Sequence, residues 1–160
     1  IRSNTDKSYR LGAEVELTYQ ILKKLQYQGN VTYSTNTIEG ENGADDKQIA
    51  FSPSVVSSSM LVFQPLRSLK ISWLQKYVGE QYLSNAESET SKLSSYMTHD
   101  LNFSFEYLPK SIFKAIQLNG LVNNIMNKKY VSNGADYGGG AIYYYPQAGI
   151  NFLVGLTLNF

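Results

Sequence analysis

The chain has 160 residues, of which 42% are hydrophobic and 13% aromatic, and its formal net charge is +1. This composition excludes a disordered segment, and the near-zero charge excludes the basic field that nucleic-acid binding needs. Cysteine is absent, which excludes thiol catalysis, and no apolar run reaches the roughly 18 residues of a spanning helix. Residues 1–4 carry neither an initiator Met nor a leader, so we expect a portion of a longer protein.

Two strands with strict two-residue alternation are predicted near the start of the chain. From Leu11 to Tyr19 every second residue is apolar or aromatic, and the residues between them include two glutamates and a threonine. The same alternation returns from Leu25 to Tyr33. Because successive side chains of a strand point to opposite faces, each strand has one apolar and one polar face. The short connection between the strands predicts a hairpin.

Five further strands are predicted along the chain. Alternation is clear in residues 100–107, 116–123 and 150–160. It is poorer in residues 54–63 and 69–78, where apolar residues fall on both faces and the register stays open. A helix over residues 118–126 also fits the apolar spacing, but its asparagines and glycine are poor helix formers and no N-cap precedes it.

Short and long connections alternate between these strands. Outer-membrane barrels have short periplasmic turns and longer extracellular loops, so the pattern predicts that the last strand ends in the periplasm. We therefore predict an all-β fold, an antiparallel transmembrane β-barrel of which this chain supplies about seven strands. The short connections are residues 21–24, 64–68 and 109–112, and the long ones are residues 38–48, 84–93 and 127–137.

A soluble sandwich or lipocalin-like barrel also has strands with one apolar face. Strands of about ten residues, long enough to cross a bilayer when tilted, and tyrosines near strand ends favour the membrane barrel. Amphipathic rings at those ends would lie at the headgroup level. The tyrosines concerned are Tyr19, Tyr27, Tyr33, Tyr77, Tyr82, Tyr96, Tyr107 and Tyr130.

Charged residues also separate between the two kinds of connection. Cations at the short turns would face the headgroups of the inner leaflet, by analogy with basic segments at anionic membranes. The alternative is that lysine only solubilises the turns. The cations are Lys23, Lys24, Arg67, Lys70, Lys110 and Lys114, and the long-loop acids are Glu39, Glu41, Asp45, Asp46, Glu87 and Glu89.

The end of the chain has a recognisable pattern. Gly155 is followed by apolar residues at alternate positions, Leu156 and Leu158, and by the aromatic Phe160. This pattern resembles the assembly signal of bacterial outer-membrane proteins, although Leu153 stands where a polar residue is usual. An unpaired last strand offers an edge that the barrel-assembly machinery can pair with.

Three segments resemble TonB-dependent receptors: residues 77–83, residues 121–130 with their Asn-x-x-Asn-x-x-Tyr spacing, and residues 145–152. The resemblance implies a barrel of about 22 strands with a plugged lumen. Residues 1–160 would be the C-terminal segment of that single barrel domain, with the plug and TonB box outside this sequence. It also implies energy-coupled nutrient uptake through TonB in the bacterial outer membrane, with an iron–siderophore complex as the commonest cargo and no cofactor.

Tyrosines near the external mouth are the candidate ligand-binding residues. Tyr137, Tyr143 and Tyr144 could stack on a haem, siderophore or sugar, and a place in the interfacial girdle is the alternative. No catalytic site is predicted, since the only histidine, His99, and its neighbour Asp100 point to opposite faces of a strand. No metal site is predicted either, because the acids of residues 39–46 lack the spacing of a calcium loop.

Two other functions stay open at this point. A receptor-like barrel could serve as a scaffold that binds partner proteins within a secretion or insertion complex. A soluble β-barrel binder is the second alternative. An upstream plug with a TonB box would favour uptake, its loss would favour the scaffold, and extraction without detergent would favour the soluble binder.

Overall fold

A computed structural model describes residues 7–40, 44–109 and 112–160. Its strands confirm an all-β fold, and the one helical element among these residues is a single 3-10 turn at Glu89–Ser91. No helix in the described part of the chain is long and apolar enough to cross a membrane. In chain order the strands are β1 (Ser8–Leu22), β2 (Leu25–Ile38), β3 (Lys47–Gln48), β4 (Val55–Leu66), β5 (Leu69–Val78), β6 (Gln81–Tyr82), β7 (Lys92–Leu93), β8 (Tyr96–Tyr107), β9 (Ala115–Asn123), β10 (Val131–Asp136), β11 (Ile142–Pro146) and β12 (Asn151–Asn159).

Seven long strands form one antiparallel sheet in the order β1-β2-β4-β5-β8-β9-β12, and β3 adds to β2. Each long strand therefore pairs with the next long strand along the chain. The short strands form two further sheets, β6 with β7 and β10 with β11. The seven strands predicted from alternation are all present, and residues 118–123 lie in β9 rather than in a helix.

The register collects most of the apolar side chains of the long strands on one face of the sheet, which we call the apolar face. In β1 and β2, Val15 lies opposite Val31. Across the last three long strands, Phe103 lies opposite Gly120, which lies opposite Val154. These side chains remain exposed, with 63% of Val15 and 61% of Val154 accessible to solvent. No other layer of the described chain covers this face.

The other side of the sheet, the polar face, carries a continuous row of polar residues. Glu16 lies opposite Asn30, Asn30 opposite Ser58, Ser58 opposite Lys76, and Lys76 opposite Thr98. The Asn30 Oδ1 atom accepts hydrogen bonds from the Ser58 hydroxyl at 2.8 Å and the Ser58 N–H at 3.1 Å. A cavity of about 490 Å³ opens along this row.

The register of β4 and β5, which the alternation left open, is now defined. Met60 lies opposite Leu74, and Val62 lies opposite Ser72, which places these apolar residues on the polar face. Val55 pairs with Tyr33 and belongs to the apolar face. The pattern was weak because the polar face of these two strands includes apolar residues.

Two glycines on the apolar face are covered by aromatic rings. A Cβ atom at Gly120 would overlap the Phe103 ring from the neighbouring strand. At Gly29 a Cβ would lie 2.5 Å from the Tyr27 hydroxyl, two residues earlier on the same strand. An aromatic ring that covers a glycine restores packing where the strand lacks a side chain.

The connections agree in part with the sequence interpretation. Tight turns at Lys23–Lys24 and Arg67–Ser68 are confirmed, whereas Lys70 lies within β5 and not at a turn. Lys110 and Glu41 lie outside the described residues. The long connection predicted over residues 127–137 is present, and its second half forms β10 (Val131–Asp136), which pairs with β11.

The tyrosine assignment needs a similar correction. Tyr19 lies opposite Tyr27 on the apolar face near a short turn, as a girdle requires. Tyr96 and Tyr130 instead stack on each other, with ring centroids 4.4 Å apart. Tyr96 has the same strand parity as Asp100, so it belongs to the polar face. Tyr82 lies in a long connection, where its hydroxyl donates to Glu89 at 3.0 Å.

Candidate ligand-binding site in the long connections

The connections of residues 79–95 and 124–150 fold against each other, and we call them the loop cluster. Their small core contains Leu83, Leu93 and Ser91, with accessible fractions of 5%, 2% and 0%. Gly134 of β10 approaches this core so closely that a Cβ would lie 2.9 Å from Leu83 Cδ1. The absence of a side chain at Gly134 therefore lets the β10–β11 hairpin pack on the first connection.

Hydrogen bonds fix the hairpin in that position. The Ser84 hydroxyl donates to Asp136 Oδ2 at 3.0 Å, and the Tyr144 hydroxyl donates to the Thr90 carbonyl at 2.7 Å. The Leu83 N–H donates to the Ser91 carbonyl at 2.9 Å within the first connection. These bonds join both sides of the hairpin to residues 83–91.

The preceding long connection joins the same cluster. The Phe51 N–H donates to the Tyr82 carbonyl at 2.9 Å, and the Ala50 N–H donates to Asn85 Oδ1 at 2.8 Å. All three long connections are therefore in contact at one end of the sheet. Two of the acids at this end have partners: Glu39 pairs with Lys7 at 3.2 Å, and Asp46 accepts from the Gly40 N–H at 3.2 Å. Within the described ranges no group of three potential metal ligands occurs.

The structure brings together two of the three tyrosines predicted to bind ligand. Tyr137 and Tyr143 make an edge-to-face pair with centroids 5.9 Å apart, and their accessible fractions are 75% and 59%. Tyr144 alternates to the opposite side of β11, where its hydroxyl bonds to Thr90. The candidate surface is therefore the Tyr137–Tyr143 pair, and Tyr144 anchors the hairpin beneath it.

Three consecutive glycines make the hairpin turn possible. Gly138, Gly139 and Gly140 have φ values of 78°, 61° and 86°, a left-handed region that residues with a Cβ rarely adopt. Asp136 Oδ1 accepts from the Gly138 N–H at 2.9 Å. That backbone hydrogen bond, helped by the Ser84 hydroxyl, lowers the pKa of the Asp136 carboxyl below its usual value. The ionised carboxylate thus holds the turn closed.

Asn124 connects the long-stranded sheet, the loop cluster and the segment before β12. It is 4% exposed and has a left-handed backbone with φ 51°. Its N–H donates to Asp100 Oδ1 at 2.7 Å, and its side-chain amide donates to the carbonyls of Lys128 at 2.9 Å and Ala148 at 3.1 Å. Its Oδ1 accepts from the Lys128 N–H at 2.8 Å.

Asn127 has a related role three residues later. Its backbone is also left-handed, with φ 49°, and its Oδ1 accepts from the Ile150 N–H at 3.1 Å. The two asparagines of the Asn-x-x-Asn-x-x-Tyr spacing therefore hold the two ends of the last long connection together. The candidate ligand residues chosen from the sequence did not include either asparagine, although this spacing was the available signal.

The only histidine takes part in a side-chain contact on the apolar face. Trp73 Nε1 donates to His99 Nδ1 at 3.3 Å, and the two rings are 5.5 Å apart. Asp100 points to the polar face, where it bonds to Asn124. The two residues are therefore separated by the sheet, as the alternation predicted.

The last strand presents the residues of the predicted assembly signal. β12 pairs with β9 from Asn151 to Asn159, and no described strand pairs with its other edge. Leu156 and Leu158 lie on the apolar face, opposite Leu118 and Ile116. Phe160 contacts Phe113 with ring centroids 5.1 Å apart.

Residues 1–125 match the family model described as TonB dependent receptor-like, beta-barrel. The chain belongs to the TonB-dependent receptor β-barrel family. Proteins of this family are outer-membrane β-barrel proteins, and TonB-dependent receptors are transporters and not enzymes. No curated protein matches the chain.

Solved TonB-dependent receptors share the fold. The siderophore receptor PiuA from Acinetobacter baumannii has a TM-score of 0.71 at 18% identity, over 96% of this chain and 22% of that one. The ferric yersiniabactin uptake receptor FyuA from Yersinia pestis has a TM-score of 0.71 at 14% identity, over 92% and 22%. The copper transporter OprC has a TM-score of 0.70 at 18% identity, over 96% and 24%. The chain thus spans about a quarter or less of the length of these structures, which place its strands in a barrel wall.

Proposed function

We propose that this chain is part of an outer-membrane receptor that imports a scarce nutrient, an iron–siderophore complex or a similar metal chelate, with energy from TonB. The observation that supports this proposal most directly is the exposed Tyr137–Tyr143 pair. The pair lies on a hairpin that is fixed to the end of the barrel wall where the long connections are found. Long connections of outer-membrane barrels face the outside of the cell. An external ligand would therefore meet these rings first.

The related structures support a metal chelate as the ligand class. PiuA is named as a siderophore receptor, FyuA as a ferric yersiniabactin uptake receptor and OprC as a copper transporter. Aromatic rings bury much area at low conformational cost, so a tyrosine pair suits a large chelate with a mixed polar and apolar surface.

The charges on the polar face support the proposal that this face lines a barrel lumen filled by another segment of the complete protein. Glu14, Glu16, Lys70 and Lys76 lie on this face, and none forms an ion pair within the described residues. Uncompensated charges need either water or a complementary partner. We place residues 1–160 at the C-terminal side of the barrel domain, with the plug and TonB box supplied by other residues of the complete protein.

Uptake of a radiolabelled ferric siderophore by cells that express the complete protein tests this function. Tyr137→Ala with Tyr143→Ala should reduce ligand binding and uptake, because both exposed rings are lost. Tyr143→Phe is the matched control, since it keeps the ring and should retain uptake. The proposal would be overturned if cells with and without the protein imported every chelate of a test panel equally. Co-purification of a stable protein complex in that case would favour the scaffold function.

We also infer that β12 and Phe160 bind the barrel-assembly machinery through the free strand edge. Phe160→Ala should lower the amount of folded barrel in the outer membrane, measured by heat-modifiable gel mobility. Asn159→Ala, on the polar face next to it, is the control. Equal yields of the two variants would contradict this role.

A further inference from the structure

A second cavity lies within the loop cluster, away from the Tyr137–Tyr143 pair. Its volume is about 390 Å³, within the usual range of small-molecule sites. It lies between β7 and the start of the last long connection. The residues that line it include Lys92, Ser94, Ser95, Lys128, Lys129 and Tyr130. Its polar lining is thus made of ammonium and hydroxyl groups.

Two of the three lysines have their charge available. Lys92 Nζ pairs with Glu80 at 3.0 Å and with Glu89 at 3.6 Å, and the Glu80 carboxylate raises the pKa of this lysine. Lys128 and Lys129 are exposed, and no carboxylate of the described ranges pairs with either of them. Their backbone is held by Asn124, which accepts from the Lys128 N–H. The two free charges therefore stand on an anchored segment.

The hydroxyl groups beside them are also free to donate. In the part of the chain that the structure describes, the side chains of Ser94, Ser95 and Tyr130 form no hydrogen bond with another protein group. Stacking on Tyr96 fixes the position of the Tyr130 ring. A ligand in this cavity would therefore lie beside two exposed lysines and three residues with unpaired hydroxyl groups.

We propose that this cavity binds a phosphate group. The lining contains no arginine, whose planar fork suits bidentate carboxylates, and lysine binds phosphate as a point charge. Lys128 and Lys129 also depart from the charge pattern of this chain, in which the acids cluster in the long connections. The phosphate can come from an outer-leaflet lipid headgroup or from a soluble phosphorylated ligand. In the second case the inference rests on the proposed function, because it assigns a charge to the imported molecule.

Binding to the purified full-length protein in detergent tests the site. The soluble probes are glucose 6-phosphate and glucose, and the lipid probes are lipopolysaccharide and its dephosphorylated form. The wild-type protein should prefer one phosphorylated probe over its matched form. The double variant Lys128→Gln, Lys129→Gln should weaken that binding by at least about tenfold, because two charge-assisted contacts are lost. The pair that discriminates identifies the source of the phosphate.

The double variant Lys23→Gln, Lys24→Gln is the matched control, since it removes an adjacent lysine pair at the opposite end of the sheet. It should bind within about twofold of wild type, because those charges lie far beyond the screening distance. Equal losses in the two double variants, or no preference for either phosphorylated probe, would overturn the site. Uptake of a ferric siderophore is measured separately. If uptake fails while phosphate binding is intact, only the proposed function is contradicted. If uptake is normal and phosphate does not bind, only this inference is contradicted.

Discussion

The barrel wall and the loop cluster bury their side chains in opposite ways. The wall exposes its apolar residues, with Val15 at 63% and Val154 at 61% accessible, while the loop cluster buries Leu83 and Leu93 to 5% and 2%. Backbone ladders satisfy the wall, and side-chain hydrogen bonds such as those of Asn124 satisfy the cluster. The wall therefore needs hydrocarbon to bury its apolar face, whereas the cluster contains its own partners.

A charge on the apolar face of the wall should have the largest effect. Val154→Lys places an ammonium group in hydrocarbon and should reduce the free energy of unfolding by about 2–4 kcal/mol. Leu153→Lys is the matched control, because its side chain lies on the polar face. Urea titration of the complete protein in lipid vesicles measures both. Similar losses for the two variants would mean that the two faces do not differ in environment.

The substitution Asn124→Ala tests whether the side-chain hydrogen bonds of Asn124 stabilise the loop cluster. It removes the three side-chain hydrogen bonds that Asn124 makes to the backbone of Lys128 and Ala148, at about 0.5–1.5 kcal/mol for each bond. Hydrogen exchange should accelerate in residues 124–150 and stay unchanged in β1 and β2. Asn123→Ala, which loses one exposed contact to Asn151, is the control. Accelerated exchange throughout the sheet would show that the two regions are a single unit.

A smaller effect is expected where an aromatic ring covers a glycine of the wall. Gly120→Ala forces the Phe103 ring to move and should cost about 1 kcal/mol, the lower end of the overpacking range. Gly155→Ala should be nearly neutral, because no atom lies within 4 Å of its Cβ position. Thermal melts in vesicles compare the two variants. A neutral Gly120→Ala would mean that the ring does not pack on the glycine.

The smallest expected effect is the pH dependence of the turn between β10 and β11 in the loop cluster. The pKa of Asp136 is lowered mainly by the Gly138 N–H, so its stabilisation is fully present above the ordinary value of 3.8 and disappears as pH falls through the lower folded value. Amide protection of residues 136–142, corrected for intrinsic exchange, should fall in that acid window. Asp136→Asn should remove the dependence on pH. Equal dependence in both proteins would assign the transition to another group.

The sequence predicted most of the wall and little of the cluster, for physical reasons. Alternation reports which face is buried, so it located β1, β2, β8, β9 and β12, while Met60 and Leu74 on the polar face obscured β4 and β5. Val131–Asp136 has a weak strand composition. It becomes β10 because it pairs with the tyrosine-rich β11 and packs Gly134 on Leu83.

The candidate site was likewise predicted only in part from the sequence. The sequence placed the tyrosines in the correct connection, but proximity alone could not separate Tyr144 from Tyr137 and Tyr143. Tyr143 and Tyr144 are adjacent in β11 and therefore point to opposite sides of the strand, whereas the hydrogen bond of Tyr144 to Thr90, 54 residues away, leaves no signal in the sequence. The position of Tyr96 on the polar face was predictable, because Tyr96 and Asp100 are an even number of positions apart in the same strand. Contacts between distant connections leave no such periodic signal.

Spin labels on the wall test the central claim that lipid covers the apolar face. Labels at Val15, Phe103 and Val154 of the complete protein in bilayers should be accessible to oxygen dissolved in the hydrocarbon, and labels at Glu14, Ser104 and Leu153 should be much less so. If the first three labels are shielded from oxygen, another protein layer covers this face and the barrel account is wrong.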